Sequence, residues 1–94
     1  MRVYVSGPMT GIPEYNRRAF LSAELRLRAS GYEVENPWRF GERENWTRQD
    51  YMRRDVAELA ACDAICLLRR WWRSWGARRE YLVARFVFGM RRIR

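Results

Sequence analysis

Two acidic residues, Asp55 and Glu80, lie on the apolar sides of predicted helices. The apolar positions beside Asp55 are Met52, Val56, Leu59 and Ala60. Those beside Glu80 are Val83, Ala84 and Val87. A carboxylate on a core-facing stripe is costly unless it is paired, hydrogen-bonded or functional. Either residue could simply pair with an arginine at the edge of its stripe, but two of them near one edge of a sheet favour a functional pair.

The chemistry open to this pair is that of carboxylates. The sequence has no histidine, so it lacks the commonest general base. Glu80 lies in the early turns of its predicted helix, where the macrodipole favours an ionised carboxylate. Such a group can attack an anomeric carbon, as in retaining glycosidases, while Asp55 orients the sugar or passes a proton to the departing base. Asp63 directly precedes a predicted strand, where Asp is common in turns, and is the weaker candidate.

An unusual loop follows the first predicted strand, residues 3–5. It holds two glycines, two prolines and two hydroxyls, in the order Ser6, Gly7, Pro8, Met9, Thr10, Gly11, Ile12 and Pro13. Ser6 and Thr10 could bind a phosphate together with loop N–H groups, or could cap the first helix. So elaborate a loop in so short a chain is expected to line a site.

A second unusual loop, residues 69–75, reads Arg-Arg-Trp-Trp-Arg-Ser-Trp. Its tryptophans, Trp71, Trp72 and Trp75, could stack on a nucleic-acid base. They could equally form a subunit interface, where Trp and Arg are enriched. Three exposed tryptophans would give a monomer a sizeable apolar patch, so a homo-oligomer is expected.

The elements that must position these residues alternate between strand and helix. Apolar residues at helical spacing predict a helix over 16–30, ended by Gly31. A strand over 32–35 and a surface loop over 38–46 follow. Thr47 and Asp50 form a capping box for a helix over 48–61. A strand over 64–68, a helix over 76–88 and a last short strand over 90–94 complete the chain.

This order, βαβαβα with a last strand, predicts a single α/β domain over residues 1–94. We expect a small parallel sheet with helices on both faces, of the Rossmann or flavodoxin-like kind. Ligands of such sheets bind beyond the carboxyl ends of the strands, where the strand order reverses. Both unusual loops are predicted to lie at that edge.

The amino-acid composition limits the classes of protein and of binding site that this chain can form. The chain has 94 residues, of which 48% are apolar, and no apolar run approaches the roughly 18 residues of a membrane span. We therefore expect a cytoplasmic protein with no membrane partner. Cys62 and Cys66 are expected to be buried thiols, and with no histidine a metal site is not expected. No cofactor is expected.

The net charge of +8 comes entirely from arginine, because the chain has no lysine. Residues 69–94 hold nine Arg and one Glu, whereas residues 1–68 hold ten Arg and ten acidic residues. This lopsided charge suits a phosphate-bearing ligand or an oligomer contact about as well as a duplex. Nucleic acid is a possible partner but is not favoured.

Four stretches together resemble a known group of sequences: YVSGPMTGIPEYN, GYEVENP, YMRRDVAELAACDAICLL and SWGARREYLVA. The resemblance is to the DUF4406-like family of small phage and bacterial proteins of uncharacterised function. That family is similar in turn to the nucleoside 2-deoxyribosyltransferases and the 2'-deoxynucleoside 5'-phosphate N-hydrolases. Its most specific parts are the strand with its Gly-Pro loop, the spacing of Asp55 and Asp63, and the Gly-Ala-x-x-Glu segment ending at Glu80.

The resemblance implies cleavage or exchange of the N-glycosidic bond of a deoxynucleoside or a nucleoside monophosphate. Glu80 matches the nucleophile, and Asp55 matches the acid near the base and sugar. The matching pocket positions are Tyr4 and Gly7 on the first strand and Ser74 and Gly76 in the turn before the glutamate. Where relatives tend to have Pro-Gly after the third strand, this chain has Arg69 and Arg70.

Three functions stay open on the sequence. The first is a transferase or hydrolase that acts through a covalent Glu80 intermediate. The second is a module of the same fold that binds a nucleotide or nucleotide-derived signal without turnover. The third is a small basic nucleic-acid-binding protein.

Overall fold

A computed structural model describes residues 1–93 of the chain. Four strands form one sheet in the order β2-β1-β3-β4, with every neighbouring pair parallel. The strands are β1 (Arg2–Ser6), β2 (Glu33–Glu35), β3 (Ala64–Leu67) and β4 (Arg91–Ile93). The predicted small parallel α/β fold is confirmed. Of the last predicted strand, Arg94 lies outside the described residues, and Arg91 and Arg92 pair with β3.

Three helices connect the strands: α1 (Arg17–Ala29), α2 (Arg48–Ala60) and α3 (Trp75–Phe86). The capping box predicted at Thr47 and Asp50 is present and starts α2. The side chain of Ser74 caps α3 by accepting the backbone N–H of Ala77 at 3.1 Å. None of the helices in residues 1–93 is long and apolar enough to cross a bilayer.

Part of the predicted surface loop over 38–46 is a 3₁₀ turn, Pro37–Phe40. Asn36 starts this turn because its side-chain oxygen accepts the Trp38 N–H at 3.0 Å, and Pro37 supplies a preset φ. Asn36 is buried and also donates to Glu24 of α1 at 2.9 Å. The segment is therefore fixed to the core.

Helices pack on both faces of the sheet, as predicted. On one face, Phe20 and Leu27 of α1 pack against the alternate β1 residues Val3 and Val5. On the other face, Leu59 of α2 and Ala84 of α3 pack with Tyr4 and Ile65. Since side chains alternate along a strand, Ser6 lies on the same face as Tyr4, toward α2 and α3. The outer stripe positions Ala60 and Val87 are exposed at the helix ends.

The strand order reverses between β1 and β3. The chain leaves β1 for β2 on one side and later returns to β3 on the other side, which opens a crevice at the carboxyl ends. The segments that follow β1 and β3 lie close together, because a Cβ atom on Gly7 would meet the Cβ of Leu68 at 2.7 Å. Glycine at position 7 thus leaves room for the side chain of Leu68.

Candidate active site

A cleft of about 980 Å³ lies at this edge of the sheet. It is lined by the loop after β1, by residues 37–43, by the first turns of α2 and by residues 73–77. Asp55 of α2 and Glu80 of α3 both line the cleft. Glu80 is only 6% exposed. The structure therefore brings together the two carboxyl groups that the sequence singled out.

Glu80 is held by two hydroxyl groups of β1. The Tyr4 hydroxyl donates to Oε2 of Glu80 at 2.9 Å, and the Ser6 hydroxyl donates to Oε1 at 2.6 Å. Both donors are fully buried. Burial raises the pKa of Tyr4 well above its usual value, so Tyr4 stays a hydroxyl donor. Both Glu80 oxygens are thus fixed by neutral donors from a central strand.

A hydrogen bond couples the carboxyl groups of Glu80 and Asp55. Burial, the charge of Asp55 and a hydrogen bond with it raise the pKa of Glu80 to about 8, against the opposing hydrogen bonds of Ser6 and Tyr4. Burial also raises the pKa of Asp55, while the hydrogen bond from Glu80 and the charge of Arg54 oppose that rise. At neutral pH Glu80 therefore carries a proton, which it donates in the hydrogen bond with Asp55.

This protonation corrects the expectation of an ionised Glu80. Glu80 is the sixth residue of α3, beyond the first turn in which the helix macrodipole acts strongly. Burial and a second carboxylate outweigh what remains of that effect. An ionised Glu80 requires that the proton first move to Asp55 or to a ligand.

Arg54 is a neighbour of the pair that the sequence analysis missed. Its Nη1 lies 3.6 Å from Oδ1 of Asp55, and its Nη2 lies 3.4 Å from Oε1 of Glu35. Its guanidinium stacks 3.9 Å from the ring centroid of Phe40. Adjacent helix positions seldom face each other, and nothing distinguishes this arginine among 19 in the sequence.

The structure places some of the predicted substrate-binding residues in the cleft and others behind it. Those that line the cleft are Gly7, Pro8, Met9, Thr10, Ser74 and Gly76. Tyr4 and Ser6 lie behind it and act on Glu80. Ser6 does not cap the first helix, whose N-cap position is Asn16.

Asp63 is not brought to the cleft. It precedes β3 at the amino end of the strand, and its carboxylate accepts the backbone N–H of Arg2 at 2.8 Å. The site lies beyond the carboxyl ends of β1 and β3, at the opposite edge. Asp63 therefore fixes the start of the sheet.

A strained turn also borders the cleft. Glu14, Tyr15 and Asn16 are consecutive left-handed residues with φ values of 54°, 54° and 65°. They are held by Trp38, whose indole N–H donates to the Glu14 carbonyl at 2.9 Å, and by hydrogen bonds from Tyr15 to Glu42 and from Asn16 to Pro8. Left-handed backbone at non-glycine residues is costly and concentrates at functional sites. Glu and Tyr are not residue types that favour left-handed backbone, so the sequence does not indicate this turn.

The aromatic residues divide among several roles. Phe40, Trp46 and Tyr51 pack together with ring centroids 5.2 to 6.4 Å apart, and all three line the cleft. Trp75 also lines the cleft, whereas Trp71 packs on Tyr81 with centroids 5.0 Å apart. Trp72 is 55% exposed and does not line it. The homo-oligomer expected from these tryptophans stays a prediction.

Both cysteines are free and buried, as predicted. Burial raises the pKa of the Cys62 thiol to about 11, so this thiol is unreactive. Residues 1–93 contain no group of three or more acidic or cysteine side chains placed to hold a metal ion.

Comparison with known proteins identifies a family. The sequence profile of a domain of unknown function, DUF4406, matches residues 1–90. No match was found among curated proteins or among solved structures. Because the profile spans nearly the whole chain, including both carboxylates and both loops of the cleft, the protein belongs to the DUF4406 family.

Proposed function

We propose that this protein cleaves or exchanges the N-glycosidic bond of a 2'-deoxynucleoside or its monophosphate through a covalent intermediate on Glu80. One observation carries the proposal. Glu80 and Asp55 line the same cleft, and two buried hydroxyls of β1 fix the oxygens of Glu80. The likeness to deoxyribosyltransferases expected from the sequence would imply the same chemistry.

The proton on Glu80 matches what this reaction needs. As the proton moves from Glu80 to Asp55, the Glu80 carboxylate attacks the anomeric carbon and an ester bond forms to the sugar. The carbon–nitrogen bond breaks, its electron pair goes to the base, and Asp55 protonates the base. Water or a second base then attacks the anomeric carbon, returns a proton to Asp55 and releases Glu80.

The hydroxyls of Tyr4 and Ser6 favour the charged form of Glu80. Each donates to one carboxylate oxygen, and each lowers the pKa of Glu80 against the effect of burial. They hold the group in one orientation and lower the free energy needed to ionise it. Arg54 does the same for Asp55 from the other side of the pair.

The cleft suits a nucleoside in size and lining. Its volume of about 980 Å³ is at the upper end of the range of small-molecule sites. Trp38, Trp46 and Tyr51 line it and offer aromatic faces to a base. The loop after β1 lines the cleft together with Glu80 and would enclose the sugar there.

A non-catalytic binding module is the second candidate, and one observation favours it. Glu80 is 6% exposed and carries a proton at neutral pH, so it resembles a satisfied buried group as much as a nucleophile. A module of this kind would bind the same nucleosides or nucleotides in the same cleft. Turnover separates the two functions.

The test is to incubate the protein with the four 2'-deoxynucleosides and their 5'-monophosphates and to measure released base by chromatography. Transfer is measured by adding a second free base. A 2-fluoro deoxynucleoside should trap the intermediate and add one glycosyl mass to a peptide that contains Glu80. Asp63→Asn is the matched control, because it changes an acid to an amide at the opposite edge of the sheet and should retain activity. Tight binding without base release or trapping would establish the binding module instead.

A further inference from the structure

More arginines than acidic residues line the cleft. Four arginines line it: Arg39, Arg43, Arg48 and Arg73. Arg39 is already paired with Glu24, to which it donates hydrogen bonds of 2.8 and 3.1 Å. Among residues 1–93, the other three have no carboxylate within 4.0 Å. Unpaired arginines in a cleft indicate an anionic ligand.

Two of these arginines lie near the start of α3. Arg48 is the first residue of α2, and its guanidinium lies 5.1 Å from the ring centroid of Trp75. Trp75 is the first residue of α3, and Arg73 precedes it by two positions. Both guanidinium groups are exposed at this end of the cleft. Arg43 is placed elsewhere, 4.4 Å from the ring centroid of Phe40.

There is open space for a ligand at the same place. A Cβ atom on Gly76 would have the Ser74 hydroxyl, at 3.9 Å, as its nearest contact. From Ser74 to Glu80 is six residues, about 9 Å along the helix axis. The carboxyl pair would repel an anion, and the arginine end of the cleft lies away from it. One nucleotide is long enough to span the distance between the two.

On the basis of the proposed function, we propose that the substrate is a nucleoside 5'-monophosphate and that Arg48 and Arg73 bind its phosphate. A phosphate monoester carries a charge of about −1.5 to −2 at pH 7 and accepts the paired N–H groups of arginine in a bidentate manner. The Trp75 ring contacts the guanidinium groups of both Arg48 and Arg79, which lie 5.1 and 4.6 Å from its centroid. The unphosphorylated nucleoside would leave Arg48 and Arg73 without a partner.

Calorimetric titration with each 2'-deoxynucleoside and its 5'-monophosphate tests this inference. We expect the best-bound monophosphate to exceed its nucleoside by about thirtyfold or more in affinity. Arg48→Gln and Arg73→Gln should each lower the affinity for the monophosphate roughly tenfold and leave the affinity for the nucleoside unchanged. Arg48→Lys should restore part of it, because lysine keeps the charge but not the paired donors. Lowering the pH from 7.5 to 5 should reduce the gain, since the phosphate loses charge near pH 6.

Arg85→Gln is the matched control, because Arg85 is exposed in the last turn of α3 and does not line the cleft. Equal loss in Arg85→Gln would show a bulk charge effect and overturn the inference. Equal affinity for nucleoside and monophosphate, failure of every monophosphate to bind, or preferential binding of oligonucleotides would also overturn it.

The same titrations separate this inference from the proposed function. An arginine-dependent phosphate gain without base release would contradict the glycosidic reaction and keep the phosphate site. Base release at equal rates from nucleosides and monophosphates would keep the reaction and contradict the phosphate site.

Discussion

Glu24 and Glu80 are both buried glutamates on helices of this small protein, at 5% and 6% exposure. Glu24 of α1 faces cations: Arg39 donates to both of its oxygens, and Arg28 and Asn36 add further hydrogen bonds. These contacts, the Arg39 hydrogen bonds above all, lower the pKa of Glu24 to about 2. Glu80 instead accepts hydrogen bonds from two neutral hydroxyls, and burial and the charge of Asp55 raise its pKa to about 8.

The comparison shows that the neighbours of a buried carboxyl group decide whether burial raises its pKa, as in Glu80, or is outweighed by arginine partners, as in Glu24. Glu24 is ionised at neutral pH and ties α1 to the Pro37–Phe40 turn through Asn36 and Arg39. Glu80 lies where a small change in its surroundings moves a proton, which is the condition that acid–base chemistry needs. Only Glu80 lines the cleft.

The largest expected difference between the two glutamates is in turnover. Glu80→Gln keeps the shape of the side chain but removes the attacking oxygen, so base release should fall by about three orders of magnitude or more. Nucleotide affinity should stay within about tenfold of wild type. Asp55→Asn should cost less, about 10²- to 10³-fold, because it removes proton transfer. Glu24→Gln, measured in the same assay on folded protein, should stay within about threefold; a loss equal to that of Glu80→Gln would remove the distinction.

The second expected difference is in stability at alkaline pH. The raised pKa of Glu80 contributes stability that is full below its ordinary value of 4.5 and is lost as the pH rises toward 8. Wild type should therefore lose several kcal/mol between pH 5 and pH 9 from this group. Glu80→Gln should remove that dependence and be the more stable protein at pH 9. Urea unfolding across this range measures it, and parallel profiles for the two proteins would contradict the raised pKa.

Glu24 should produce the opposite dependence at acid pH. Its lowered pKa contributes stability that is present above 4.5 and is lost as the pH falls toward 2. Glu24→Gln should cost about 2 kcal/mol at pH 7, since the arginine partners are themselves largely exposed, and should flatten the acid side of the profile. Urea midpoints between pH 2 and pH 7 measure the effect. An unchanged acid slope in the variant would show that Glu24 is not the responsible group.

The smallest expected effects come from the hydroxyls that hold Glu80. Ser6→Ala and Tyr4→Phe should each cost about 1 kcal/mol of stability and raise the pKa of Glu80 further, Ser6→Ala by more. The readout is the pH midpoint of the alkaline stability loss. Ser22→Ala, an exposed serine of α1, should leave that midpoint unchanged. A downward shift in either hydroxyl variant would contradict the assigned donors.

The sequence predicted the elements well because their signals are local. The capping box at Thr47, the helix-ending Gly31 and the apolar spacing are each read within one turn or one strand. The stripe argument also found Asp55 and Glu80. Asp63 was a misplaced candidate, although its position before a strand of a parallel sheet already places it at the edge opposite the site.

The protonation of Glu80 was not predictable, because it depends on contacts across the fold. Tyr4 and Ser6 are 76 and 74 residues away in the chain, and Asp55 approaches from a different helix. The left-handed turn at residues 14–16 was equally hidden, since it is held by distant partners such as Trp38 and Glu42. Local patterns identify which residues are unusual, and tertiary contacts decide their charge.

The most direct test of the proton on Glu80 is a titration of the glutamate side-chain carboxyl carbons by NMR. The resonance of Glu80, assigned by its absence in Glu80→Gln, should titrate near pH 8, with a response in Asp55 as its partner loses the proton. Glu24 should titrate near pH 2 in the same spectra. A Glu80 resonance that titrates near 4.5 would show an ordinary ionised carboxylate and contradict the protonated Glu80 on which the proposed reaction rests.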